Sequence, residues 1–388
     1  MPHLRARPGK DDRPDRPRTW EIVCDLPPGP GGKRRRETET FHGTKSGAEE
    51  RMRARQAEID RAGATYVAPS RQTVEQYMVA WLRTKAPDIR PTTLQSYDGL
   101  VRVHIVPALG AVPLADLTPA RIQAMVDALR GKRSARTAAF VRAVLRNALE
   151  DAVRLGELTT NPVDRTRGPR QAARRVRAFT MAEVDAMAAV ARDVGWPTLA
   201  DLLLVAAYTG LRRGELLGLQ WGDVDLATGR VVVRRALVLV RGVAMISEPK
   251  TQAGARSFIL PGTAVRLLRR RKSAIADSGG ERDGEAAWVW VFTNRAGGHL
   301  EPRNIDRDFY KVRDLAGVSK LPFHSLRHTA ASVQIAAGVP LTVVSKRLGH
   351  SSIRTTADTY GDLLQEADAD AAAKLDQFLG VSAGHQEP

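Results

Sequence analysis

The chain reads as multi-domain: a small ββα unit first, an all-α middle, and a mainly α second half carrying a small antiparallel sheet. Three observations predict this. Its 388 residues suffice for two or three domains. Apolar residues recur at helical spacing through residues 73–161 and again from about Phe179. β-rich runs bounded by turns fall in two places, near residues 19–41 and 230–260.

Residues 1–18 are rich in Arg and Pro and nearly free of apolar side chains, so a disordered basic arm is expected. Thr19 to Leu26 and Lys33 to Phe41 read as strands joined by a Pro- and Gly-rich turn. The second opens with Lys33, Arg34, Arg35 and Arg36, and a β-ribbon with a basic end suits a DNA groove. A helix with Ser46 as N-cap runs to about Ala62, completing a unit over residues 19–66. Residues 70–164 read as a compact domain of four or five helices. One face carries Val74, Tyr77, Met78, Trp81 and Leu82, and another Ile122, Met125, Val126 and Leu129. A third helix, Thr137 to Leu155, is expected to turn Phe140, Val144, Leu145, Ala148 and Val153 inward. Residues 165–177 form a basic linker with Arg165, Arg167, Arg170, Arg174, Arg175 and Arg177 and no acid, a charge that phosphates would satisfy.

The next domain is expected over residues 178–362. Thr180 and Glu183 have capping-box spacing. Leu199 to Tyr208 is almost wholly apolar and reads as a buried helix. Strands follow at Arg230–Val240, Val243–Ser247 and Arg256–Leu260, and then helices only. A tail helix, residues 363–388, repeats Leu364, Ala367, Ala371, Leu375 and Phe378 at helical spacing. Residues 361–388 hold six acids against one Lys, so this tail should avoid polyanions.

The formal net charge is +17, which predicts a polyanionic partner, nucleic acid first. One cysteine excludes an intrachain disulfide. With no secretory signal and no apolar run of membrane length, a soluble cytoplasmic protein without a membrane partner is expected.

Six positions in the second half carry chemistry. They are Arg212 after the buried helix, Lys250 between two strands, His324 and Arg327 three residues apart, His350, and Tyr360 ten residues later. Arginines and histidines that converge can hold a phosphate, because planar guanidinium groups match its oxygens and stay charged. A tyrosine beside them can attack it. Free tyrosine is a poor nucleophile at neutral pH, and nearby cations are expected to favour the phenolate. Lysine can donate a proton to a leaving oxygen, which arginine can hardly do. Lys250 is the only lysine between Lys132 and Lys272 in a chain with 49 Arg and 11 Lys. His324, His328 and His350 also invite a zinc reading, but the His-Glu-x-x-His arrangement is absent and no cysteine lies nearby.

In order and spacing, these residues resemble the tyrosine recombinase family, phage-type integrases in particular. Thr209 to Glu215 is similar to the family's first Arg motif, so Arg212 rather than Arg213 inherits the catalytic role, with Glu215 as support. Lys250 matches the hairpin lysine, His324 and Arg327 the His-x-x-Arg motif, His350 the later His or Trp position, and Tyr360 the nucleophile. The resemblance implies a tyrosine recombinase fold: an arm-type DNA-binding domain at 19–66, a helical core-binding (SAM-like) domain at 70–164, and the catalytic domain at 178–362. It implies a C-shaped clamp on double-stranded DNA at attachment sites. A 3′-phosphotyrosine would form there, with no metal and no other cofactor, to integrate or excise a mobile element. Four protomers would act on two duplexes, the tail would dock on a neighbour, and a directionality factor would be a further partner in the bacterial nucleoid. Two rivals remain open. Ser332 to Arg354 could be a helix-turn-helix of a non-catalytic regulator, and type IB topoisomerases share the chemistry.

Overall fold

The structure is a computed structural model that describes residues 2–7, 18–27, 35–63, 72–170, 176–248, 255–277, 281–282, 285–286, 289–366 and 375. The chain divides into two compact units, Met1–Gln171 and Ala172–Pro388.

The first unit opens with an antiparallel sheet of β1 (His3–Arg7), β2 (Arg18–Leu26) and β3 (Arg35–Gly43), in that spatial order. Residues 3–7 are thus not a disordered arm. They pair with β2 in register from His3 opposite Val23 to Arg7 opposite Thr19, and Leu4 packs on the local core of Ile22, Cys24 and Ile59. Helix α1 (Lys45–Ala62) covers this sheet, and its N-cap is Thr44 rather than Ser46, the Thr44 side chain accepting from Gly47 N. Arg55 on α1 is bound to Glu37 on β3 at 2.9 Å.

Helices α2 (Val74–Lys85), α3 (Pro91–Leu100), α4 (Val106–Leu109), α5 (Pro119–Lys132) and α6 (Ala135–Arg154) follow, with a π-helical turn at Val101–Ile105 between α3 and α4. Thr73 and Gln76 form a capping box on α2, and its face Val74, Tyr77, Met78, Trp81 and Leu82 is buried as its spacing predicts. Tyr77 donates to the carbonyl of Ala148, and Trp81 donates to Asp151, which Lys85 also meets at 2.9 Å. The inward face of α6 is Ala138, Val141, Val144, Leu145, Ala148, Leu149 and Ala152. Phe140 lies outside it at 43% exposure, edge-on to Tyr97. The start of the expected linker is held to the bundle: Thr166 is buried, and Arg142 donates to its hydroxyl and to the carbonyls of Val163 and Thr166.

The second unit begins with α7 (Met181–Asp193), capped by Thr180 and Glu183, and α8 (Pro197–Thr209). Helix α8 buries Leu199, Leu202, Leu203, Leu204 and Val205 among the surrounding elements. At about 1.5–3 kcal/mol for each fully buried Leu or Val, it anchors the unit. After α9 (Arg213–Leu217) come β4 (Val224–Asp225), β5 (Arg230–Val233), β6 (Ala236–Val240), β7 (Val243–Ser247) and β8 (Arg256–Ile259). Strands β4, β5 and β8 form one antiparallel sheet, and β6 and β7 a separate hairpin. The β-rich run 230–240 is therefore two strands. The break falls at Arg234 and Arg235, which both clasp the buried carboxylate of Asp223. Helix α10 (Gly262–Asp277) follows. The short pair β9 (Glu281–Arg282) and β10 (Glu285–Ala286) comes where only helices were expected. The remaining helices are α11 (Pro302–Leu315), α12 (Ser325–Ala336), α13 (Leu341–Leu348) and α14 (Ile353–Glu366).

Candidate active site

Two helix ends frame the site. Helix α8 stops because Gly210 turns left-handed (φ 68°, ψ 17°), and α13 stops in the same way at Gly349 (φ 68°, ψ 47°). Carbonyls at helix C-termini lack intrahelical partners and carry the negative end of the dipole. Here arginines satisfy them. Arg327, on the first turn of α12 and only 3% exposed, donates to the carbonyls of Gly210 at 2.8 Å and Leu348 at 2.6 Å. Arg212 donates to the carbonyl of Gly349 at 3.2 Å. Burial and the neighbouring Arg212 push Arg327 down to about 9, which leaves it cationic at neutral pH.

Glu215, buried at 7% exposure, ties these groups together. One carboxylate accepts from Arg212 N and Nη1, both at 2.9 Å, and from Arg256 Nη1 at 3.1 Å and Nη2 at 2.9 Å. Burial alone would raise its pKa, but the hydrogen bonds and charge of Arg256, with Arg212 behind them, hold it below 4.5. Arg256 also donates through Nε to the carbonyl of Arg347 at 2.6 Å, joining β8 to α13. Arg213 is engaged elsewhere, by Asp306 on α11.

Three histidines line the same region. His324 occupies the N-cap position of α12, and its ring meets that of His328 edge-on at 5.1 Å. Lost hydration and the charges of Arg327 and Arg212 lower its pKa below 6.5. His350 Nδ1 lies 2.8 Å from the hydroxyl of Thr356, itself fully buried on α14. Burial, then Arg327, Arg212 and Arg256, lower His350 to about 4. Burial, then His324 and Arg327, lower His328 to about 4 as well.

Tyr360 is 2% exposed and packs with Ala331, Ile335, Val344 and Leu348. Its backbone departs from helical geometry within α14 (φ −120°, ψ 16°). The phenol lies 2.8 Å from His328 Nδ1. Contrary to the expectation that cations favour the phenolate, burial pushes Tyr360 up to about 12, and Arg327 only partly opposes this. In the free chain this tyrosine is a neutral phenol.

Of the residues singled out by sequence, Arg212, Glu215, His324, Arg327, His350 and Tyr360 come together through these contacts. Lys250 lies outside the described residues, as do Lys33, Arg34, Arg174, Arg175 and the tail beyond Glu366 apart from Leu375. Arg35, Arg36, Arg165, Arg167, Arg170 and Arg177 are exposed, Arg36 pairing with Asp25. Sequence reasoning missed Arg256 and Thr356, and named His328 only in the zinc reading. Arg256 had a signal: it stands on the inward side of β8 in alternation with buried Phe258. His328 had another, one helical turn from His324. A cavity of about 770 Å³ in this unit, lined by Trp196, Asp201, Arg270 and Arg271 among others, contains none of these residues.

Comparison with known proteins bears on the family and the fold. The profile of the phage integrase family matches residues 178–366, and that of the phage integrase N-terminal SAM-like domain matches residues 73–130. A putative prophage phiRv2 integrase of Mycobacterium tuberculosis is 29% identical over 358 residues, 90% of this chain and 91% of that one. A tyrosine recombinase XerC-like protein of Caldanaerobacter subterraneus is 31% identical over 197 residues, with the match spanning 47% of this chain and half of the relative. Among solved structures, the Tn1549 transposon integrase in complex with a circular intermediate DNA superposes with a TM-score of 0.64 at 22% identity, over 74% of this chain and 95% of that one. A lambda integrase tetramer bound to a Holliday junction gives 0.56 at 21% identity, over 88% and 94%. At these identities the structures speak for the fold. With two consecutive profiles of one family and a relative aligned along nine-tenths of its length, the chain belongs to the phage integrase family of tyrosine recombinases.

Proposed function

We propose that this chain is a site-specific DNA recombinase that cuts and rejoins strands through a 3′-phosphotyrosine on Tyr360. The observation that carries the reading is the single cluster of Arg212, Arg327 and His350 around Tyr360, drawn from segments up to 148 residues apart. Arg212 and Arg327 hold the non-bridging oxygens of the scissile phosphate, where charge builds in the transition state. His324 and His350 add donors. Glu215 fixes the Arg212 guanidinium from behind and does not itself react. Lys250 gives the leaving 5′-oxygen its proton. Tyr360 becomes the ester, and a 5′-hydroxyl from the partner duplex reverses the step, so bond energy is kept without ATP or metal.

Residues 178–362 act as the catalytic domain, residues 70–164 grip the core site, and residues 19–66 bind arm sites. Exposed Arg165, Arg167, Arg170 and Arg177 supply phosphate contacts from the linker. The lambda integrase relative assembles as a tetramer on a Holliday junction. Four copies of this chain act likewise on two attachment-site duplexes, with the acidic tail, residues 363–388, docking on a neighbour. Excision draws on a directionality factor, and the protein works at the nucleoid. A regulator built on the helix-turn-helix-like segment would need neither the buried arginine network nor a tyrosine within it.

The test is a nicked duplex carrying the element's own junction sequence, resolved on denaturing gels. Wild type should form a covalent protein–DNA band and Tyr360→Phe should form none. Equal bands from both would refute Tyr360 as nucleophile. Binding without a band, on a duplex proven to be the site, would turn the reading to a regulator.

A further inference from the structure

The reaction needs an acceptor for the phenol proton, and the groups assigned so far do not supply one. Arginines are permanent cations, Lys250 is assigned to the leaving oxygen, Glu215 is fully engaged by four donors, and His324 and His350 are assigned to the phosphate as donors, with no hydrogen bond from either to Tyr360 among the described residues. Among the described residues, one side chain is hydrogen-bonded to the Tyr360 oxygen, namely His328 on α12, through Nδ1 at 2.8 Å. Resting on the recombinase reading above, we propose that His328 is a catalytic residue that accepts the Tyr360 proton on cleavage and returns it on rejoining.

The geometry suits the step. His328 directly follows Arg327 and lies one turn from His324, so the acceptor rides on the same helix as two groups assigned to the phosphate. Its Nδ1 is within proton-transfer reach of the hydroxyl, which requires the tautomer carrying hydrogen on Nε2. The charged and titratable groups facing it are His324 and Arg327 on α12, Tyr360 on α14 and His350 after α13. Burial first, then His324 and Arg327, lower the ring to about 4 and hold it unprotonated, and no carboxylate among the described residues faces it to oppose this. A DNA phosphate supplies the missing negative charge and raises the basicity of the ring when substrate binds. As the Tyr360 oxygen bonds to phosphorus, the P–O5′ bond breaks. The phenol proton passes to Nδ1, and the 5′-oxygen takes a proton from Lys250. In the reverse step the 5′-hydroxyl attacks and gives its proton to the neutral Lys250 amine, the tyrosyl–phosphorus bond breaks, and the imidazolium returns its proton to the leaving Tyr360 oxygen. The balance needs no other reagent.

The test follows covalent-adduct formation on the same nicked duplex under single-turnover conditions, with His328→Ala and His328→Gln. Wild type and Tyr360→Phe serve as reference, and DNA binding and melting temperature are measured for every variant. If wild type makes no adduct, or Tyr360→Phe makes one, the recombinase reading fails and His328 is not at issue. If those controls behave, both His328 variants should lose about 100-fold or more at pH 7. Their rates should then climb about tenfold per pH unit as hydroxide does the deprotonation, where wild type is nearly flat. Added imidazole should restore His328→Ala in proportion to its concentration. A loss of rate with wild-type pH dependence and no imidazole rescue would overturn the proposal in favour of a packing role. Wild-type rates for His328→Gln, which keeps a hydrogen bond but takes no proton, would overturn it too.

Discussion

Removing the Glu215 carboxylate should destabilise the catalytic unit far more than loss of a surface ion pair. The carboxylate is 7% exposed and accepts four hydrogen bonds within 3.1 Å, two from Arg212 and two from Arg256. Arg256 is itself only 9% exposed. Breaking a buried pair by deleting one partner costs about 3–5 kcal/mol, because a buried cation loses its counter-charge. For a domain of this size each kcal/mol lowers Tm by about 2–4 °C, so Glu215→Ala should melt roughly 6–20 °C lower. Glu215→Gln, which keeps the shape but not the charge, should fall between. In the double variant Glu215→Ala with Arg256→Met the stranded cation is also gone, so the loss should be smaller than the sum of the single losses. Calorimetry of the full chain reads this in the transition assigned to the second unit. A cost for Glu215→Ala below about 1 kcal/mol, the range of exposed pairs, would refute the view that this carboxylate is the keystone of the arginine network.

Other outcomes follow from the same contacts. His328 and His350 are each held at about 4, below the ordinary 6.5. Between those values the unfolded chain binds protons that the folded chain refuses, so stability should fall as pH drops from 6.5 toward 4. Urea midpoints across that range should show it, and His350→Gln should flatten the slope. Glu215, held below 4.5, adds stability that is present above pH 4.5 and lost as pH falls through its folded value. Gly210→Ala would force a side chain onto φ 68° and put its Cβ 2.5 Å from Leu348 Cδ2. A loss of about 1–3 kcal/mol in urea titration is expected, together with displacement of the carbonyl that holds Arg327. Lys250→Ala should bind the nicked duplex normally but cleave slowly, and a substrate with a sulfur leaving group should restore its rate. Absence of that rescue on gels would remove Lys250 from the proton-donor role.

The candidate site was legible in part because chemistry constrains residue type: Arg212, His324, Arg327, His350 and Tyr360 could be picked out by kind and order. What sequence patterns could not show depends on packing. Arg256 sits in an ordinary strand alternation, and only the fold reveals that its inward neighbour is Glu215. The depth of Tyr360, and hence its raised pKa, comes from Val344 and Leu348 on another helix. In the fold, strong amphipathic faces such as that of α2 were legible from spacing alone. The strand His3–Arg7 was not, because its composition is that of a disordered arm and its order comes from pairing with β2. Nor was the split at Arg234 and Arg235, which a buried Asp223 imposes from outside the run.

The order in which the site is built along the chain bears on how a DNA-cutting protein is kept safe while it is being made. Arg327 is braced by the carbonyls of Gly210 and Leu348, Arg212 by that of Gly349, and His350 by Thr356. The braces of Arg327 and Arg212 need the chain through Gly349, and that of His350 needs Thr356 on α14, although the first unit emerges much earlier. A nascent chain, or one truncated before Leu348, can therefore display its basic surfaces to DNA but lacks the nucleophile and the carbonyls of Leu348 and Gly349 that hold its arginines. Such a fragment would occupy a duplex without nicking it, so aborted synthesis leaves a competitor for the site rather than an uncontrolled nuclease.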